Sequence, residues 1–186
     1  ANRMLGMLKK TFVSRDLGLW RDLYVSLVRP HLEYAVQVWN PYLKRDVERL
    51  ESVQRRATRV PVGLRGIQYE ERLLRMGLTT LGERRHRGDL IQMFKVAKGI
   101  EDVSWVVPPL FKRDGGILGP AGSLRGHGFC YSRESFPSRV RNGCAKGVSI
   151  RHHFFLNRLA PYWNGLPASA VDSPSLDVFK GRLAEL

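Results

Sequence analysis

The stretch Trp20–Tyr42, WRDLYVSLVRPHLEYAVQVWNPY, decides the fold class. Trp20, Leu23, Tyr24, Leu27, Val28, His31, Tyr34, Ala35 and Val38 recur at steps of three, four and seven, the repeat of one helix face against a core. Trp20, Tyr24, Tyr34 and Trp39 add large rings whose polar edges need partners. Pro30 supplies no backbone N–H and clashes one turn back, so a kink or local break is expected there. Asn40-Pro41 closes the run, because a residue before proline disfavours the α region. The expectation is a long, bent, largely buried helix serving as the spine of a helical domain.

Outward from this spine the chain stays helical for about half its length. Asn2–Phe12 sets Leu5, Leu8 and Phe12 opposite Lys9 and Lys10. Ser14, Arg15 and Asp16 precede the spine where an N-cap belongs. Leu43–Arg59 carries Leu43, Val47, Leu50, Ala57 and Val60 on one stripe; Glu51 is four residues before Arg55, a spacing worth about 0.3–0.5 kcal/mol on an exposed helix. Arg56 and Arg59 have no acidic residue three or four positions away. A short helix over Tyr69–Met76 ends at Gly77. Thr80 and Glu83 form a capping box for a helix running to about Lys98, with His86, Leu90, Met93, Phe94 and Ala97 inward. Arg84, Arg85 and Arg87 crowd that helix's first turn, where cations oppose the macrodipole, so something other than helix stability holds them there.

From Gly99 to about Ser149 the periodicity fades into Pro- and Gly-rich sequence. Within Arg125–Arg151 the bases Arg125, Arg133, Arg139, Arg141, Lys146 and Arg151 outnumber the single acid Glu134, with Phe129, Tyr131 and Phe136 interleaved and a short β-hairpin admissible near Phe129–Val140. Phe155, Leu159 and Trp163 mark a further short helix, limited by Pro161 and ended near Gly165 and Pro167; Ser173-Pro174 caps a last one with Leu176, Phe179 and Leu183 inward. The expected fold is therefore mainly α: a helical bundle over 1–99, a loop-rich basic segment over 100–150, and two short helices within 151–186. Trp20, Tyr24, Leu27, Tyr34, Trp39, Leu50, Phe94, Phe155, Trp163 and Phe179 are the expected core, since burial of such side chains yields about 1.5–3 kcal/mol each.

Composition narrows function more than fold. An apolar fraction of 43% suits a globular chain, whereas a formal net charge of +14 points to polyanionic partners, nucleic acid first among them. No stretch approaches the roughly 20 apolar residues of a membrane span. Cys130 and Cys144 make no disulfide framework, so free thiols and an intracellular location, nucleus or cytoplasm, are expected. Cys130, Cys144, His152 and His153 match no compact zinc spacing, and Glu101-Asp102 reads as a solvated loop pair. No nucleophile elbow, phosphate loop or dinucleotide fingerprint appears. The chain opens without Met and ends in an apparent helix, as a portion of something longer would.

Four linked segments carry a resemblance: LVRPHLEYAVQVWNPY (27–42), RLESVQRRATR (49–59), YEERLLRMGLTTL (69–81) and FFLNRLAPYWNGLP (154–167). Together they resemble the C-terminal part of the reverse transcriptases of non-LTR, LINE-type retrotransposons of the jockey kind, over essentially the whole chain. The resemblance implies the thumb and post-thumb region, which lies after the catalytic palm and grips the primer–template backbone. In that family, metal-assisted polymerisation rests on paired aspartates in the palm, with Mg²⁺ bound there. No Asp-Asp pair occurs in this sequence, so no cofactor and no polymerase activity are expected of this chain alone.

The resemblance and the charge together make RNA, an RNA–DNA hybrid or DNA the expected partner, with an upstream palm as a second partner and no membrane. Candidate phosphate contacts are Lys9, Lys10, Arg55, Arg56, Arg59, Arg84, Arg85, Arg87, Arg125, Arg139, Arg141 and Arg151. Against this stands a bland alternative for each cluster: a solvated helix face for Arg55–Arg59, a flexible basic linker for Arg125–Arg151. The competing function is a scaffold whose helices dock on a palm or another protein. Departures from the family pattern at Pro61 and Arg125–Cys130 would suit a decayed or domesticated element copy.

Overall fold

The computed structural model describes residues 1–105, 108–111, 127–133, 140–141, 144–145 and 153–186. The fold is mainly helical, and the chain divides into two compact units, Ala1–His86 and Arg87–Leu186. The division falls inside helix α7 (Leu81–Ala97) rather than at the expected 99/100 boundary. The physical reason is that Leu90, Met93, Phe94 and Ala97, on the C-terminal half of α7, belong to the second unit's core. Among the described residues no helix is long and apolar enough to cross a membrane.

In the first unit, α1 (Asn2–Thr11) buries Leu5 and Leu8 and turns Lys9 and Lys10 to solvent. Asp16 caps α2 (Leu17–Leu23) by accepting from the Leu19 N–H at 3.0 Å. The spine is not one bent helix. After α2 it widens into a π-helical turn, Tyr24–Val28, continues as α3 (Pro30–Glu33), and resumes as α4 (Val36–Trp39) after a break at Ala35. Arg29 N–H donates to Tyr24 O at 2.9 Å, five residues back. This widening accommodates Pro30, whose ring would crowd a regular turn. One consequence reaches through the whole spine: the buried positions step by four, through Trp20, Tyr24, Val28, Leu32 and Val36. The expected phase holds as far as Val28 and then slips by one residue, because a π turn inserts an extra residue into the helical repeat.

Ala35 completes the change. Its φ of 49° lies in the left-handed region, which costs an L-residue about 1–2 kcal/mol. The break turns Tyr34 and Val38 outward (79% and 73% exposed); Leu27, His31 and Trp39 are exposed as well. Leu27, Tyr34 and Trp39 are thus not core residues, and His31 is not a buried histidine. Leu50 is half-buried against the core, and Trp20 and Tyr24 are fully inside it.

Helix α5 (Lys44–Ala57) is tied to the rest of the unit by a polar network around Gln54, which has no exposed surface. Gln54 accepts from Tyr24 OH at 2.5 Å and donates to Tyr69 OH and Thr79 O at 3.0 and 2.9 Å. Glu51 accepts from Tyr69 OH and from the Leu81 N–H at the start of α7. Glu51 therefore serves this network rather than the helical pair with Arg55 that the spacing suggests, and buried polar groups satisfied this fully fix one arrangement of α5, α6 (Tyr69–Arg75) and the α7 entry. Gly77, with φ 58°, ends α6, while Leu78 N–H reaches back to Leu73 O at 2.8 Å. Thr80 and Glu83 cap α7 reciprocally: Thr80 N–H donates to Glu83 at 3.1 Å, and Glu83 N–H to Thr80 Oγ1 at 3.2 Å.

The second unit packs the end of α7 with α8 (Phe155–Asn164), α9 (Ala168–Val171) and α10 (Leu176–Glu185). Phe94 stacks on Phe179 with ring centroids 4.3 Å apart, and Phe155, Trp163 and Phe179 are buried, as expected of core residues. Phe111, Phe129 and Tyr131 join the same core, so the segment expected to be a linker supplies part of the interior. Helix α8 ends at Gly165, as expected, and carries Pro161 within it, held by Leu159 and Ala160 before it and by Trp163 after it, whose Nε1–H donates to Phe129 O at 2.9 Å. One correction concerns the last helix. The cap of α10 is Ser175, not Ser173; the Ser173 hydroxyl instead donates to Ala170 O at 2.6 Å. Among the described residues, backbone pairing is confined to a bridge between Phe111 and Tyr131 and to strands β1 (Val140–Arg141) and β2 (Cys144–Ala145), antiparallel with Val140 opposite Ala145. Most of the segment in which a hairpin is expected, 134–139, lies outside the described residues.

Candidate nucleic-acid interface

Two helix ends and the turns that follow them assemble a cationic cleft in the first unit. Its volume is about 160 Å³, and it is lined by Lys9, Arg15, Arg56, Arg59, Val60 and Arg65. Five of the six lining residues are cations, and none is acidic. Lys9 comes from the last turn of α1 and Arg56 from the last turn of α5, so partial negative charge at both helix C-termini eases the crowding. Each terminus supplies roughly half a charge, which leaves most of the five uncompensated.

The side chains are held in place by neutral acceptors. Arg15 donates to Phe12 O and to Lys9 O (2.9 Å), and its guanidinium stands over the Trp20 ring, 5.0 Å from the centroid. Arg56 donates to Ser52 O at 3.3 Å and to Asn2 Oδ1 at 2.8 Å. Val62 N–H donates to Arg15 O at 3.0 Å, joining the turn after α5 to the α1–α2 connection. Among the described residues no carboxylate forms an ion pair with any of the five.

The positive field extends beyond the cleft. Arg55 and Arg72 stand over the same Tyr69 ring, 4.9 and 5.5 Å from its centroid. Arg72 is only 2% exposed, and its Nε has no hydrogen-bond acceptor among the described residues. Burial first, and then the nearby Arg59, hold its guanidinium below the ordinary arginine range. Lys10 is exposed on α1 and does not line the cleft.

The arginines at the start of α7 have internal employment. Arg84 grips Glu33 through both carboxylate oxygens, one at 3.1 Å, and Arg29 approaches the same carboxylate at 3.7 Å. The Glu33 hydrogen bond raises the Arg84 pKa. Arg85 is buried, and Arg87 donates to Lys180 O at 2.8 Å. Intramolecular bonding and burial hold these cations against the helix dipole, so the placement of Arg84, Arg85 and Arg87 is accounted for without a phosphate.

In the second unit, Phe129 and Tyr131 are packed inside, which removes them as base-stacking surfaces. Arg125, Arg139, Arg151 and Phe136, like the Arg141 side chain, lie outside the described residues; the Arg141 backbone is in β1. Asp89 is 2% exposed and pairs bidentately with Arg158 at 2.9 Å on both contacts. Glu101 accepts from Lys95 at 2.6 Å, which lowers its pKa. Cys130 is buried, and among the described residues no three of His, Cys, Asp and Glu come together as a metal site.

Of the twelve candidate cations, the structure brings Lys9, Arg56 and Arg59 together and sets Arg55 beside Arg72. It adds Arg15, Arg65 and Arg72, which periodicity does not single out: Arg15 adjoins a cap, Arg65 sits in a glycine-rich turn, and Arg72 resembles any polar residue of a short amphipathic helix. No protein-family model, curated protein or solved structure matches the chain.

Proposed function

We propose that this chain is the non-catalytic, nucleic-acid-gripping thumb and post-thumb portion of a non-LTR retrotransposon reverse transcriptase. The observation that carries the gripping role is the cleft of Lys9, Arg15, Arg56, Arg59 and Arg65, whose lining holds no carboxylate. Guanidinium and ammonium groups arrayed in this way contact phosphates and carry no base code, so binding is expected to be insensitive to sequence. The family assignment itself rests on the four linked motifs.

Titrating an RNA–DNA hybrid across salt tests the gripping role. Log K is expected to fall linearly with log salt, by about 0.9 per phosphate neutralised on a B-form duplex. Replacing Arg56 and Arg59 by Gln should flatten that slope by about one for each phosphate no longer neutralised. Absence of binding at low salt, or a flat salt response, refutes the role.

A second reading, docking on a palm or another protein, is favoured by one feature. Tyr34, Val38, Trp39, Tyr42 and Leu43 all lie at 39–79% exposure within ten residues of chain. Such clustering is unusual for a surface that faces only water. Binding of an environment-sensitive dye that Tyr34→Ser and Val38→Ser abolish supports this reading; equal dye binding by the variant removes it.

A further inference from the structure

We infer that the cleft of Lys9, Arg15, Arg56, Arg59 and Arg65 receives a single phosphate group and favours the terminal phosphomonoester of a nucleic-acid strand over an internal diester. The inference rests on the gripping role and names the group that occupies its centre.

The lining comes first. Five cations surround about 160 Å³ with no acidic residue among them, a compact space rather than a groove tracking several phosphates. Arg15 and Arg56 are already oriented by carbonyl and amide oxygens, so little side-chain freedom remains to be lost when an anion arrives. Lys9, Arg59 and Arg65 are exposed and free of carboxylate partners among the described residues, leaving their donors for a ligand.

Arg72 supplies an independent observation. It is a buried guanidinium whose Nε lacks an acceptor among the described residues; after burial itself, Arg59, which lines the cleft, is the like charge that most disfavours its protonated form, with Tyr69 and Glu70 opposing. Arg55 adds a further cation over the same Tyr69 ring. The first unit thus concentrates like charge around Arg59, and the cleft lining holds no acidic side chain to balance it. An anion in the cleft would be that balance, and its benefit grows with its charge. An internal diester carries one negative charge, whereas a terminal monoester carries about 1.5 to 2 at neutral pH and offers three acceptor oxygens to forked guanidinium donors.

The test uses the full chain and two otherwise identical DNA hairpins, one bearing a 5′-phosphate and one a 5′-hydroxyl, titrated at matched low salt. The phosphorylated hairpin is expected to bind about tenfold more tightly, the effect of up to one further charge held close to several cations at once. In the Arg59→Gln/Arg65→Gln variant, and independently in Lys9→Gln, that preference should shrink toward unity. Inorganic phosphate should raise the melting temperature more than chloride at equal ionic strength, and less so in the variants. Binding of both hairpins with equal affinity, or a preference surviving all the substitutions, overturns the monoester site and leaves the gripping role standing. Failure to bind either hairpin overturns both.

Discussion

Replacing Asp89 by Asn should be among the most damaging single changes in the second unit. Asp89 is 2% exposed, and both its oxygens accept from Arg158 at 2.9 Å, so the pair is withdrawn from water and its geometry is good. The Arg158 side chain is itself only 16% exposed. The substitution leaves a guanidinium charge in a poorly solvated position with a neutral amide for a partner, a change that typically costs about 3–5 kcal/mol. By comparison, the solvated Lys44–Glu48 pair, with side chains 91% and 60% exposed, is worth about 0.3–0.5 kcal/mol. Urea unfolding, followed by tryptophan emission, measures the loss. The decisive control is the double change Asp89→Leu with Arg158→Met, which removes both charges together. Because the desolvation cost of a buried pair consumes most of its attraction, the double variant should recover most of what Asp89→Asn loses. If Asp89→Asn costs less than about 1 kcal/mol, or the double variant loses the sum of the two single changes, the pair is not a desolvated unit and the reasoning fails.

Two further outcomes follow from strain and from burial. Ala35→Gly should stabilise the first unit by about 0.5 kcal/mol, because relief of the left-handed alanine slightly exceeds the entropy that glycine adds to the unfolded chain; a loss measured in urea would mean that the Ala35 methyl matters more than its φ. His127 is buried against Trp163, its Nε2 bonded to Trp163 O at 2.9 Å and its Nδ1 without a partner among the described residues, and burial lowers its pKa despite the opposing influence of that hydrogen bond and of Asp172. Between the unfolded value of about 6.5 and the lower folded one, the unfolded chain binds more protons. The stability contributed by neutral His127 is therefore complete above about pH 6.5 and lost as the pH falls through the folded pKa. Urea midpoints measured on both sides of that window should fall on acidification, and fall less in His127→Gln; equal slopes would refute the assignment.

Much of this architecture is legible along the chain, and the reason is locality. The Asp16 cap, the Thr80–Glu83 box, the glycines that end α6 and α7, and the inward stripe Leu90–Ala97 all depend on residues within a turn or two of one another. The missing Asp-Asp pair and the excess of positive charge are equally properties of composition. Tertiary contacts decide the rest. The π turn before Pro30 shifts the spine's phase by one residue, and the break at Ala35 then turns Tyr34 and Val38 outward although their spacing points them in. Glu51 takes partners from Tyr69 and Leu81, far along the chain, over the arginine four residues away. The cations follow the same division. Sequence establishes that there are too many, but the distance between an arginine and an acceptor far along the chain determines which are consumed within the fold. Arg84 finds Glu33, whereas Arg56, Arg59 and Arg65 meet Lys9 and Arg15 with no carboxylate lining the space between them. Electrostatic compensation depends on separation in space, and the linear order of residues does not contain it.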